Sequence, residues 1–219
     1  MKRAVSTSKR RSLTESLIAG ACVAAALAVP AVSAQTAPPT QNSAAVCVTC
    51  HGTHGEGAPS GAPRLAGQNA QYMSHALSMF RAGTRVSPIM QPIAQSLTDV
   101  QMSALADYFS KQTAPLADAH SHASPQLLHT GKQLSEIGVA NVAACFSCHG
   151  AQGRGDGARF PRIAGQPAQF VIDRLHEFQA RARAKPPQPG TMTAVAAMLN
   201  ESQIQAAGAY LSRVGTLPP

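Results

Sequence analysis

Apolar positions recur at helical spacing along most of the chain. Tyr72, Met73, Ala76, Leu77 and Phe80 fall on one helix face, and Phe170, Val171, Leu175 and Phe178 on another. Met102, Leu105, Ala106 and Phe109 form a third stripe. Ile204, Ala207, Gly208 and Leu211 form a fourth. Thr98 with Gln101, and Asn200 with Gln203, have the spacing of a capped helix start at the head of the last two stripes. Leu127, Leu128, Leu134 and Ile137 predict one more helix. No segment alternates convincingly enough for a sheet, so the pattern predicts an all-α fold.

The stripes come in pairs because the chain repeats itself. A shift of 98 residues lays His51-Gly52 on His149-Gly150, and Gly55-Glu56-Gly57 on Gly153-Arg154-Gly155. It also lays Pro63-Arg64-Leu65-Ala66-Gly67-Gln68 on Pro161-Arg162-Ile163-Ala164-Gly165-Gln166. Tyr72, Leu77, Phe80 and Arg85 meet Phe170, Leu175, Phe178 and Arg183. The second copy then gains four residues. At the new shift of 102, Met90 meets Met192, Leu97 meets Leu199 and Tyr108 meets Tyr210. Each unit has an ordinary small-domain length. We expect a first domain over 35–111, a linker over 112–125 rich in Ala, Ser, Pro and His, and a second domain over 126–219.

Residues 1–34 read as a targeting segment. Lys2, Arg3, Lys9, Arg10 and Arg11 give a basic start, Leu17 to Val29 is apolar, and Val32-Ser33-Ala34 offers small residues before Gln35. This is the order of a cleaved secretory signal, and the apolar run is short for a bilayer span. Arg10-Arg11 hints weakly at a twin-arginine signal. A membrane anchor, or a lipid on Cys22, is the alternative. The segment also changes the charge. The whole chain has 18 basic and 10 acidic residues, whereas the part after Ala34 has 13 and 9. Much of the basic excess is targeting charge and gives no reason to expect a nucleic acid partner. The apolar content excludes a mostly disordered chain, and a single long apolar run excludes a polytopic membrane protein.

Four cysteines remain after the leader: Cys47, Cys50, Cys145 and Cys148. In an exported protein an even number suggests disulfides. Here, however, each pair is followed directly by a histidine, in Cys47-Val48-Thr49-Cys50-His51 and Cys145-Phe146-Ser147-Cys148-His149. This is the attachment signature of haem c. Two thiols one helical turn apart can take the two vinyl groups on one porphyrin edge, and the following imidazole can bind the iron. A zinc ribbon would place its cysteine pairs about 15–20 residues apart, whereas 94 residues lie between Cys50 and Cys145. A thioredoxin-like site needs a βαβ setting, which the pattern lacks. We therefore expect two covalently bound haem c groups, with His51 and His149 as axial ligands.

The repeat also selects candidates for the other axial position, where Met sulfur is a common ligand in electron-transfer cytochromes. Met73, Met79, Met102 and Met198 face Val171, Glu177, Ile204 and Ser96. Only Met90 and Met192 face each other, in loops between the helical patterns, after Pro88 and after Pro189-Gly190. The alternative is two ordinary core methionines. His54, His75, His120, His122, His129 and His176 have no counterpart in the other copy and read as surface or linker residues. His120-x-His122 is a weak candidate for an adventitious metal.

Two C-x-x-C-H-G units, each followed by P-R-[LI]-A-G-Q, an aromatic-bearing helix, a Met segment and a further helix, resemble the dihaem cytochromes c of the c-four family. The resemblance covers nearly all of the chain after the leader. It implies two tandem class I cytochrome c domains, each a few helices around one covalent haem. It implies that the Pro63 and Pro161 carbonyls lie near the proximal histidines. It also implies that matched basic residues hold the propionates, for which Arg64, Arg85, Arg162 and Arg183 are the candidates; the alternative is four solvated arginines. Two departures stand out. Few residues precede Cys47, with no evident long N-terminal helix, and Arg181 replaces Gly83.

The function expected from this resemblance is a periplasmic carrier of single electrons, with no substrate chemistry of its own. Its partners would be a quinol-oxidising complex, a dehydrogenase or a terminal oxidase, with transient association at the periplasmic membrane surface. An alternative is the cytochrome subunit of a periplasmic dehydrogenase. A dihaem peroxidase is a third reading, but it needs an open iron position, and Met90 and Met192 argue against one.

Overall fold

A computed structural model describes residues 41–117 and 122–215 of the chain. The expected leader, His120 and part of the expected linker lie outside the described residues. The first repeat holds α1 (Gln41–His51), α2 (Ala70–Arg81), α3 (Met90–Gln95) and α4 (Asp99–Ser110). The second holds α5 (Pro125–Glu136), α6 (Cys145–His149), α7 (Ala168–Ala184), α8 (Met192–Ala197) and α9 (Glu201–Leu211). In the first repeat α2 packs on α3 and α4. In the second α7 packs on α8 and α9, and α5 lies along α9.

The helix boundaries follow from the residues at their ends. Thr98 and Gln101 form a complete capping box on α4, and Asn200 and Gln203 form its twin on α9. Asn69 caps α2 by accepting from the Tyr72 N–H, and Ser124 caps α5 ahead of Pro125. The predicted helix at 127–137 thus opens at the final residue of the predicted linker. α2 stops where Gly83 takes φ +72° just beyond it. Its counterpart Arg181 lacks that freedom and stays helical, so α7 runs on to Ala184. The departure at Gly83 is therefore a change in helix length.

One expectation needs amending. Gly138–Val139 (β1) and Val142–Ala143 (β2) pair as a two-residue antiparallel hairpin between α5 and α6. Two-residue strands are too short for any alternation to register in sequence. In the first repeat, six described residues of α1 precede Cys47.

α5 approaches α9 closely because Gly131 faces it. A Cβ at position 131 would sit 2.1 Å from the Ala206 carbonyl oxygen and 2.5 Å from Tyr210 Cβ. The Tyr210 hydroxyl donates to Glu136 at 2.5 Å, closing the same seam. We expect Gly131→Ala to destabilise the second domain by about 2 kcal/mol. Overpacking here outweighs the gain of about 1 kcal/mol in helix propensity. Denaturant unfolding of the haem-loaded protein checks this, and a rise in stability would show that the seam yields freely.

The two repeats meet through their matched P-R-x-A-G-Q segments. The Gln166 amide accepts from the Arg64 N–H at 3.0 Å and donates to the Arg64 carbonyl at 3.0 Å. Reciprocally, Gln68 accepts from the Arg162 N–H at 2.9 Å and donates to the Arg162 carbonyl at 2.9 Å. Both glutamines are buried. Each repeat thus satisfies buried backbone groups of the other, with the self-complementary exchange of a two-fold contact.

Candidate haem-binding sites

Each C-x-x-C-H motif ends a helix, α1 in the first repeat and α6 in the second. At about 100° per residue, the two cysteines and the histidine fall within about 100° of one another around the helix axis. Cys47 and Val48 pack against the first core, and Cys145 and Phe146 against the second. Cys50 and Cys148 are exposed, Cys47 and Cys145 are half-buried, and all four are free thiols. Burial pushes the Cys47 and Cys145 thiols up. Among the described residues no three His, Cys, Asp or Glu side chains converge on one point suited to a metal ion. The shared sector of helix surface places the two thiols and the imidazole of each motif side by side, as a porphyrin edge requires.

Both histidines are buried and held alike. His51 Nδ1 lies 2.8 Å from the Pro63 carbonyl oxygen, and His149 Nδ1 lies 2.8 Å from that of Pro161. A carbonyl can only accept, so each Nδ1 carries the proton and each Nε2 keeps its lone pair. Burial pushes both imidazolium pKa values down, and the proline carbonyls oppose this in part. A neutral ring with Nδ1–H fixed by an acceptor is the form that ligates metal. The Pro63 and Pro161 carbonyls thus stand where the resemblance put them.

Matched backbone bonds hold those prolines in place. Gly57 N–H donates to the His51 carbonyl and Gly155 N–H to that of His149. Leu65 and Ala66 N–H both donate to Gly55, as Ile163 and Ala164 do to Gly153. At Gly55 a Cβ would press to 2.8 Å from the Phe109 ring, and at Gly153 to 2.7 Å from Phe146. The repeat keeps glycine where loop and aromatic core meet.

The methionines separate by environment. Met90 opens α3 and packs with Phe80, Ala94 and Met102; Met192 opens α8 and packs on the second core. Both are partly exposed and sit at the first turn of a short helix, not mid-loop. Ser87 Oγ holds the Met90 N–H, and Thr191 caps α8. Met73 and Met102 are buried in the core, and Met198 is exposed.

The four arginines stand in different surroundings, although Arg64 and Arg162 share one bond. Arg64 is buried and donates to the carbonyls of Ala66, Ala114 and Pro115, tying its loop to the start of the linker. Arg162 Nε donates to Ala164, matching Arg64 to Ala66. Burial pushes both guanidinium pKa values down. Arg85 is buried over the Phe80 ring at 4.5 Å, and Arg183 is exposed in the last turn of α7. Gln68 and Gln166 are plain in the repeat, but spacing alone does not reveal the clasp they form.

The Cytochrome c family model matches the chain twice, over residues 40–113 and 131–215. The "Thiosulfate dehydrogenase electron acceptor" of Stutzerimonas stutzeri is 38% identical over 177 residues, covering 78% of this chain and 80% of that one. Cytochrome c4 of Azotobacter vinelandii is 33% identical over 183 residues, covering 78% and 85%. The crystal structure of reduced cytochrome c4 from Pseudomonas stutzeri is similar at a TM-score of 0.70, with 30% identity over 80% of this chain and 96% of that one. Two matched attachment helices, two buried neutral histidines and two family matches lead to one assignment: the chain belongs to the cytochrome c family, as a c4-like dihaem electron-transfer protein that binds two covalent haem c groups.

Proposed function

We propose that the chain is a periplasmic one-electron carrier in which His51 with Met90 holds one iron and His149 with Met192 holds the other. Cys47, Cys50, Cys145 and Cys148 would form the thioether links that prevent loss of the cofactor outside the cytoplasm. The haems supply the one-electron couple. The observation that carries this reading is duplication of the whole donor set. In both copies a buried Nδ1–H is fixed on a proline carbonyl, and a matched Met opens a short helix after a Pro-containing segment. With His51, Met90, His149 and Met192 holding the two irons, no iron position would be left for substrate, and the chain would do no substrate chemistry of its own. Arg85, Arg162 and Arg183 are the propionate candidates, together with the two donors of Arg64 not spent on carbonyls.

The test is carbon monoxide. The reduced wild-type protein should bind it negligibly at either haem and show no peroxidase turnover. Tight binding at one haem would replace the carrier reading with an enzymatic or sensing one.

The relative named as an electron acceptor of thiosulfate dehydrogenase favours a second reading of the partner. A periplasmic dehydrogenase of a small sulfur oxyanion would be the donor, and an oxidase or reductase the acceptor. Capture from native periplasm should then retain such a dehydrogenase, and retention of a quinol-oxidising complex alone would favour the other donor.

A further inference from the structure

We propose that Gln68 and Gln166 each tune the iron ligand of the opposite domain, so that docking of the two domains sets both reduction potentials. The proposal rests on the reading of His51 and His149 as axial ligands. The geometry that carries it is a single peptide unit. The Pro161 carbonyl, which takes the His149 Nδ1–H at 2.8 Å, and the Arg162 N–H, which is held by Gln68 Oε1 at 2.9 Å, belong to the same amide. The Pro63 carbonyl on His51 and the Arg64 N–H on Gln166 are likewise two ends of one amide. Each imidazole is thus one peptide away from a side chain of the other repeat.

An amide whose N–H is bonded becomes a better acceptor at its oxygen, because the two bonds polarise the same π system cooperatively. A better acceptor draws more strongly on the histidine Nδ1–H and makes the ring more basic at Nε2. Hydrogen bonding behind the axial ligand is one of the levers on a haem potential, and a more basic ligand favours the oxidised iron. Burial strengthens the effect, since Gln68 is 5% and Gln166 3% exposed, and water does not compete freely. The amide orientation is fixed by chemistry. Each oxygen faces an N–H, and each Nε2 faces a carbonyl. Asn69 N–H adds a further donor to Gln68 Oε1 at 3.0 Å.

The sign follows. Removing Gln68 frees the Arg162 N–H, weakens the Pro161 carbonyl as an acceptor, and raises the potential of the second-domain haem although the substitution lies in the first domain. We expect Gln68→Leu to shift the reduction equilibrium of that haem about threefold to tenfold, about 28–59 mV at 59 mV per tenfold. The first-domain haem should shift less. Gln166→Leu should do the reverse. Redox titration of the full haem-loaded protein, with the two haems distinguished by NMR, reads both. A shift confined to the haem of the substituted domain, an equal shift at both, or none overturns the proposal.

Leucine also weakens docking, so Gln68→Glu supplies a second arm. It keeps the oxygen that faces the Arg162 N–H and, ionised, makes it a stronger acceptor while giving up the Nε2 bond to the Arg162 carbonyl, and the second-domain haem should fall, more than the first. Opposite signs for Leu and Glu at the opposite haem are not produced by loosened packing. Should Leu separate the domains in solution scattering, the Glu variant decides, and no fall at the second haem overturns the proposal. Hyperfine-shifted ring protons of His51 and His149 in the ferric protein test the underlying ligation separately. If they are absent, the axial reading fails; if they are present while Gln68→Leu and Gln68→Glu leave the second haem unmoved, only the tuning fails.

Discussion

Met90→Ala admits carbon monoxide to the first-domain haem of the reduced protein and leaves the second closed, so that one haem of the two binds. Met192→Ala gives the mirror result. The expectation rests on matched position and on surroundings. Met90 and Met192 are repeat partners at the first turn of short helices, partly exposed and fixed by Ser87 and Thr191. Met73 and Met102 are buried among core side chains, so shortening them costs packing, about 2–5 kcal/mol for a fully buried methionine, and leaves the iron sites closed. Met198 is 47% exposed, and its loss should change neither property. Because Met ligation favours a higher potential, each alanine variant should also lower the potential of its own haem. The weak sulfur-to-iron charge-transfer band of the ferric protein should lose one share in each single variant and vanish in the double. A band at full strength in the double variant would remove both methionines from the iron.

Features whose cause is local could be read from the residues. The capping boxes at Thr98 and Asn200, the stripes of α2, α4, α7 and α9, and the attachment helices need only spacing within a few turns, and each formed as expected. The repeat reaches further than any motif, because it distinguishes Met90 and Met192 from the other methionines by position alone. What escaped depends on distant partners. Nothing near Arg64 announces that its guanidinium will meet carbonyls about fifty positions away at Ala114 and Pro115. The hairpin at 138–143 is too short to have a period. Gln68 and Gln166 are visible as a matched pair, but a glutamine that serves the opposite copy looks like any other polar residue until the two copies are seen together.

The two domains should depend unequally on their haems. Replacing Cys47 and Cys50 by Ser should unfold the first domain, whereas the same change at Cys145 and Cys148 should leave α5 and α9 of the second still paired. Serine keeps the size of cysteine but cannot form a thioether, so each variant loses the covalent cofactor of one domain. A unit of this size buries only about 60% of the surface its unfolded chain exposes and is marginal without a staple. Among the described residues, the buried apolar side chains of the first domain form two groups, joined through the partly buried Leu97. One lies around Leu105 and Phe109, the other around Phe80 and Met102. Those of the second form one continuous group that runs from Leu134 on α5 through Ile172 and Leu175 on α7 to Ile204, Tyr210 and Leu211 on α9. Each fully buried side chain of this kind contributes about 1.5–3 kcal/mol, and one continuous core keeps those contributions when its cofactor is lost better than two smaller groups joined through one half-buried leucine do. The Gly131 seam and the Tyr210–Glu136 bond add contacts that need no haem. Far-UV circular dichroism and amide exchange of the two double-serine proteins, with haem staining to verify the loss, read the difference. If the second domain loses its protection as completely as the first, the α5–α9 core does not stand without the cofactor, and haem sets the stability of both domains alike.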